Sequence, residues 1–187
     1  MIRPLLALSV ALFAGVALAD TELGLASKAG DLTKVRQLTE AGADVNATND
    51  DDLWERTPLM QAARLGRTEV VTFLLARGAD VTKPGDATGA SPLKEAAYKG
   101  HIEIVRALLA AGAKPDFNAD DQGRTPLLWA LIGKETNTPA VVEALLKAGA
   151  NSQAVFESLD GAKVTAAEFA HRAGPEVEAA FTRNAPH

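Results

Sequence analysis

One unit of about 34 residues recurs along this 187-residue chain, and that recurrence restricts the fold more than any other feature. Thr57-Pro58-Leu59 is followed by Ala62-Ala63, Gly66, Val70-Val71, Leu74-Leu75 and Gly78-Ala79. Ser91-Pro92-Leu93 is followed at the same offsets by Ala96-Ala97, Gly100, Ile104-Val105, Leu108-Leu109 and Gly112-Ala113. Thr125-Pro126-Leu127 has Ala130, Val141-Val142, Leu145-Leu146 and Gly149-Ala150, with three extra residues before Val141. Weaker copies start at Thr21, with Leu23, Ala26, Gly30, Val35, Leu38 and Gly42-Ala43, and at Thr165, with Ala170 and Gly174. A unit this short buries too little to stand alone, so its copies must stack into a solenoid whose end units face water.

Thr57 to Val81 nearly spells the pattern T-P-L-x-x-A-A-x-x-G-x-x-x-x-V-x-x-L-L-x-x-G-A-D-V-N, so the chain resembles the ankyrin repeat over residues 20–187. The resemblance implies an all-α solenoid of about five stacked helix-turn-helix units joined by β-hairpin loops. The units run over residues 20–49 as an N-terminal cap, 50–83, 84–117, 118–154, and 155–184 as a C-terminal cap. The pattern has local physical reasons. Thr or Ser caps the first helix through its hydroxyl, and Pro at the first helical position loses no needed hydrogen bond. Gly66 and Gly100 turn the chain between helices, and Val70, Val71, Leu74 and Leu75 form the apolar stripe of the second helix. Gly78, Gly112 and Gly149 supply the left-handed residue that ends it. Where the second unit has Val70, Phe73 and Leu75, the first has Lys34, Gln37 and Thr39, as a water-facing cap requires. The last unit is rich in Ala and Glu (Glu168, Glu176, Glu178).

The chain departs from the family pattern in three places. The His that usually follows T-P-L is Met60, Lys94, Leu128 and Glu168, so the polar bracing it provides is in question. The fourth unit has an expanded inter-helix segment, Gly133 to Pro139, and the loop after Gly149 is longer than the one after Gly112. A contact surface and neutral drift account for this extra length equally well.

Residues 1–19 read as an address. Arg3 precedes an apolar run from Leu5 to Ala19 that closes on Ala17-Leu18-Ala19, a small-x-small cleavage pattern, before Asp20. The run falls short of the ~20 residues that span a bilayer. We therefore expect a signal peptide cleaved after Ala19 and a periplasmic or secreted protein without membrane attachment afterwards. An uncleaved N-terminal anchor is the alternative. With the ankyrin resemblance, this points to a bacterial periplasmic protein.

Composition excludes much else. The formal charge is −5, with no basic block, which speaks against a nucleic-acid binder. Cysteine is absent, removing thiol catalysis, disulfides and thiolate metal sites. There is no GxxxxGK[ST], GxGxxG or HExxH motif. His101 follows Gly100 where the family commonly has Gly-His, so it reads as structural rather than as a base. Asp50-Asp51-Asp52 and Asp120-Asp121 miss the spacing of a calcium loop and read as turn chemistry. Ser91 is committed to a cap, and Asn46 within Asn46-Ala47-Thr48 is the family's loop Asn as well as a glycosylation sequon. We expect no catalytic, cofactor or metal residues.

Ankyrin arrays bind other proteins through loop tips and exposed first-helix positions that line a concave face. Carried onto this sequence, those positions are Leu53, Trp54, Arg56, Gln61 and Arg64 in the second unit. Thr88, Ala90, Tyr98 and Lys99 follow in the third, and Gln122, Arg124 and Trp129 in the fourth. Trp, Tyr and Arg are the residues most enriched at binding hot spots; packing against a neighbouring loop is the alternative for Trp54 and Trp129. The expectation is a monomeric, non-catalytic binding module that scaffolds, chaperones or anchors an exported partner, such as an enzyme. An inhibitor or immunity-type protein that blocks a periplasmic enzyme is the alternative, ahead of a metal-dependent enzyme.

Overall fold

A computed structural model describes residues 18–48, 55–85, 89–117, 123–133, 135–157 and 162–185. Residues 1–17 of the expected signal peptide, the aspartates at 50–52 and 120–121, and the positions Leu53, Trp54, Thr88 and Gln122 lie outside them.

Helices follow one another in pairs. The first pair is α1 (18–29) and α2 (Leu32–Glu40). Then come α3 (Pro58–Arg64) with α4 (Thr68–Ala76), α5 (Pro92–Tyr98) with α6 (Ile102–Ala110), and α7 (Pro126–Gly133) with α8 (Thr138–Lys147). A two-stranded hairpin, β1 (Val155–Glu157) and β2 (Lys163–Thr165), leads into α9 (Ala166–Ala173) and α10 (Pro175–Asn184). Its antiparallel register pairs Phe156 with Val164. Hairpin loops are expected between all units, yet among the described residues only this one forms a ladder. The loop before α5 is closed by one bond, from Gly85 N–H to the Ala90 carbonyl (2.9 Å).

The caps form where the sequence places them in the last four units. The Oγ atoms of Thr57, Ser91, Thr125 and Thr165 accept from the amides three residues on, of Met60, Lys94, Leu128 and Glu168. Thr21 differs. Residues 18–20 are already helical, so Thr21 lies inside α1 and not at its cap. The reason is local: no proline follows Thr21, and Leu18 and Ala19 are good helix formers. Asp20 instead accepts the Asp44 amide of the loop beyond α2 (2.8 Å).

Packing runs in two rows. From α3 onward each first helix contacts the next first helix, and each second helix contacts the next second helix. Among the middle units the first helices lie in closer mutual contact than the second, because Ala62, Ala63, Ala96 and Ala97 let the backbones approach; these first helices form the inner row. The stripe of second helices is buried at Val70, Val71, Leu74, Ile104, Val105 and Leu108. Leu75 and Leu109, expected within it, are only partly buried, since they sit at its edge. On α2, Val35 and Leu38 face the core while Lys34 and Gln37 face water.

Side chains at the inter-helix turns tie the units together. Gly66 has φ +70°, and the His101 ring lies so close that an added Cβ would stand 2.7 Å from it. His101 Nε2 sits 3.1 Å from the Arg64 carbonyl, an acceptor only, so this nitrogen is the donor. Arg67 repeats the contact one unit earlier, donating from Nε to the Lys28 carbonyl (3.2 Å). The expanded segment of the fourth unit supplies Glu135, which lies over Gly100 as His101 lies over Gly66. The loops are stitched likewise. Asn46 Oδ1 accepts the Asp80 amide (2.8 Å), and Asp116 accepts the Asn151 amide (3.1 Å).

The positions that depart from the family's His are filled by other means. Leu128 is buried within the apolar core, and Met60 and Lys94 are buried as well. Glu168 forms a reciprocal cap with Thr165, accepting from its amide (2.7 Å) and hydroxyl (3.0 Å).

Candidate functional site

The inner row of first helices carries a cleft of about 280 Å³ between α3, α5 and α7, lined by Arg56, Arg64, Ala90, Lys94, Glu95, Tyr98 and Trp129. The repeat explains why these residues meet. Gln61, Glu95 and Trp129 each lie four residues after their Thr or Ser anchor, so stacking places them side by side. Arg56 and Arg64 approach Glu95 from the preceding unit.

Glu95 is the fixed point. Arg56 Nε donates to its Oε1 (2.8 Å) and Arg64 Nη1 to its Oε2 (2.8 Å). Side-chain exposure is 8% for Glu95, 10% for Arg56 and 35% for Arg64. Both carboxylate oxygens are therefore engaged, which ties the second unit to the third. Arg64 is the partner that also faces water.

An aromatic wall closes the other side. Tyr98 and Trp129 meet edge to face, with ring centroids 5.4 Å apart and planes at 87°. The Lys99 ammonium lies 5.0 Å from the Tyr98 ring centre, and the Arg124 guanidinium 5.5 Å from that of Trp129. Such cation–ring contacts hold the rings and place positive charge along the rim. Trp129 Nε1 is buried and has no hydrogen-bond partner among the described residues. Gly133 lets α7 approach the Tyr98 backbone closely, since a Cβ there would collide with the Tyr98 carbonyl oxygen.

Of the residues expected to be exposed for binding, Arg64, Tyr98, Lys99, Arg124 and Trp129 are half-buried and gather at or beside this cleft. Exposure is corrected at Arg56 and Gln61. Both are buried, because α5 of the next unit covers them and Glu95 draws Arg56 inward. Sequence reasoning passed over Lys94 and Glu95. Their signal is lateral: Glu95 occupies the register of Gln61 and Trp129, with two arginines one unit away.

Carboxylates held below their usual range lie elsewhere and serve a turn, a cap and an ion pair on the surface of α8. The Thr82 hydroxyl and amide lower Asp80. The Thr165 amide and hydroxyl lower Glu168, and the Lys147 ammonium lowers Glu143. Among the described residues no three His, Asp or Glu side chains come together in a metal-holding group. No described helix is long and apolar enough to cross a membrane.

The sequence matches the family described as Ankyrin repeats (3 copies) over residues 23–121 and again over 88–156. The chain belongs to the ankyrin-repeat family. Ankyrin repeats mediate protein–protein interaction, so the array is a protein-binding module of a generally non-catalytic family. Among similar proteins, the 2-5A-dependent ribonuclease of Mus musculus is 46% identical over 61 residues, 33% of this chain and 8% of that protein. Ankyrin repeat and SAM domain-containing protein 6 of Rattus norvegicus is 45% identical over 62 residues, 33% of this chain and 7% of its own length. Myotrophin of Xenopus tropicalis is 43% identical over 61 residues, 33% of this chain and 49% of that protein. The matched ankyrin segment thus spans half or less of each of these relatives. One of them is by name a ribonuclease, so an ankyrin segment also occurs within an enzyme.

Proposed function

We propose that this ankyrin array is a monomeric, non-catalytic scaffold, chaperone or anchor for an exported partner protein, which it holds against the inner row of first helices. The observation that carries the reading is the Tyr98–Trp129 wall beside the Arg56–Glu95–Arg64 bridge. Large aromatic side chains are partly exposed there, at positions fixed by neighbouring helices and cation–ring contacts. A surface already ordered loses little entropy on binding, so contacts made there convert efficiently into affinity. Export rests on the leader-like residues 1–19; cleavage after Ala19 leaves Asp20, whose carboxylate accepts the Asp44 amide.

The test is capture of partners from a periplasmic or secreted fraction by the protein lacking residues 1–19, compared with its Tyr98→Ala and Trp129→Ala variants. A specific captured protein that both variants lose supports the reading. Variants that fold normally yet keep every captured protein contradict it. A protein found only in the cytoplasm contradicts export.

A further inference from the structure

Beyond the docking of a protein, we infer that the cleft between α3, α5 and α7 is a site for a small aromatic carboxylate, a single ring joined by a short arm to a single carboxylate. Size, polar groups and walls each narrow the occupant. An apolar cavity of about 150 Å³ takes up benzene. This cleft, at about 280 Å³, therefore has room for a ring with a short polar arm. Its polar groups set the charge. Glu95 is already balanced by two guanidinium groups and its side chain is only 8% exposed, so an ammonium gains little there. Arg56 is drawn onto Glu95, and Lys94 is buried with an interaction of its own. Arg64 is the lining cation that a ligand can reach. Its side chain is 35% exposed and its Nη1 serves Glu95, while its other guanidinium N–H groups bond nothing among the described residues.

A guanidinium edge matches the two oxygens of a carboxylate. A single reachable cation balances a single negative charge, so a monoanion suits the cleft better than a phosphate dianion. The walls set the rest. Ala90, Tyr98 and Trp129 line the same cleft as Arg64. Trp129 Nε1 is buried, so the part of the indole that meets the cleft is carbon. Tyr98 and Trp129 are held edge to face, and a further ring laid against such a pair extends the same packing. An acid whose carboxylate meets Arg64 thus places its ring against the aromatic wall.

The experiment is a titration followed by NMR at the indole N–H of Trp129, a signal assigned by its loss in Trp129→Phe. The probes are hydrocinnamate, its amide, phenethylamine, butyrate and phenyl phosphate. Hydrocinnamate should shift the signal saturably with a Kd below about 1 mM, an affinity within reach of a ligand of this size. It should bind at least about tenfold more tightly than each other probe. Arg64→Gln should weaken it about tenfold and Arg64→Lys less, because the lysine keeps the charge without the fork. Arg106→Gln, on the second-helix row, should leave binding unchanged. Urea midpoints verify that the variants fold. Equal binding of the amide or the amine overturns the carboxylate, equal binding of butyrate overturns the ring, and tighter binding of phenyl phosphate overturns the monoanion. No saturation by hydrocinnamate up to about 10 mM, or equal binding by folded Arg64→Gln, overturns the site. These failures leave the partner reading to the capture experiment, which is read with whole proteins.

Discussion

Removing the Glu95 carboxylate tests whether the cleft's rigidity comes from the bridge between the second and third units. In Glu95→Ala, Arg56 loses its 2.8 Å partner while only 10% of its side chain reaches water. Breaking a buried pair from one side costs about 3–5 kcal/mol, because the remaining charge stays desolvated. Arg56 makes a further interaction, which holds the expected loss near the lower bound. The Arg64 leg, at 35% exposure, adds no more than about 0.5–1 kcal/mol after screening by solvent. The expected total is about 3–4 kcal/mol. With a urea m-value of about 2 kcal/mol per molar, the unfolding midpoint should fall by roughly 1.5–2 M. Arg64→Ala should shift it by about 0.5 M at most. Urea denaturation followed by circular dichroism measures both. A Glu95→Ala shift below about 0.3 M, or an Arg64→Ala shift equal to it, would refute the claim that this bridge joins the units.

Further outcomes are expected elsewhere in the array. Leu74 is fully buried in the stripe of α4, so Leu74→Ala should cost about 2–5 kcal/mol in the same assay. Ser27 has a buried hydroxyl without a hydrogen-bond partner among the described residues, where later units carry Ala63 and Ala97; Ser27→Ala should be neutral or stabilise by about 1 kcal/mol. Asp80 titrates below the usual carboxylate range because the Thr82 hydroxyl and amide bond its charged form. Its contribution is complete above the unfolded carboxylate value of about 4 and is lost as pH falls through the lower folded value. Asp80→Asn should accordingly flatten the acid side of a melting-temperature profile below about pH 4 and leave its slope near pH 7 unchanged.

The fold is legible because a repeated unit states its own register. Thr57, Ser91, Thr125 and Thr165 each announce a cap, and the glycines after each stripe announce a helix end. Gly78, Gly112 and Gly149 adopt φ of +82°, +93° and +92°. Legibility fails where one unit's side chain is answered by the next unit. Arg56 reads as an exposed loop residue until stacking brings Glu95 beside it. Gln61 sits at a variable position and is nevertheless covered. Thr21 carries the anchor residue without the proline that stops a helix from extending backwards, and α1 includes it. The expanded segment at residues 133–139 reads equally as contact surface or drift, and its Glu135 takes the place that His101 holds one unit before. Tyr98 and Trp129, named from their positions alone, stand together because α5 and α7 are adjacent first helices.

Hydroxyl-radical footprinting of the complex with a captured partner tests the central claim most directly. Tyr98 and Trp129 are oxidisable aromatic side chains and partly exposed, whereas His171, 74% exposed at the C-terminal cap, serves as an internal control. The account predicts that oxidation of Tyr98 and Trp129 falls several-fold on binding while His171 is oxidised as before. Protection of His171 with Tyr98 and Trp129 unchanged would contradict it.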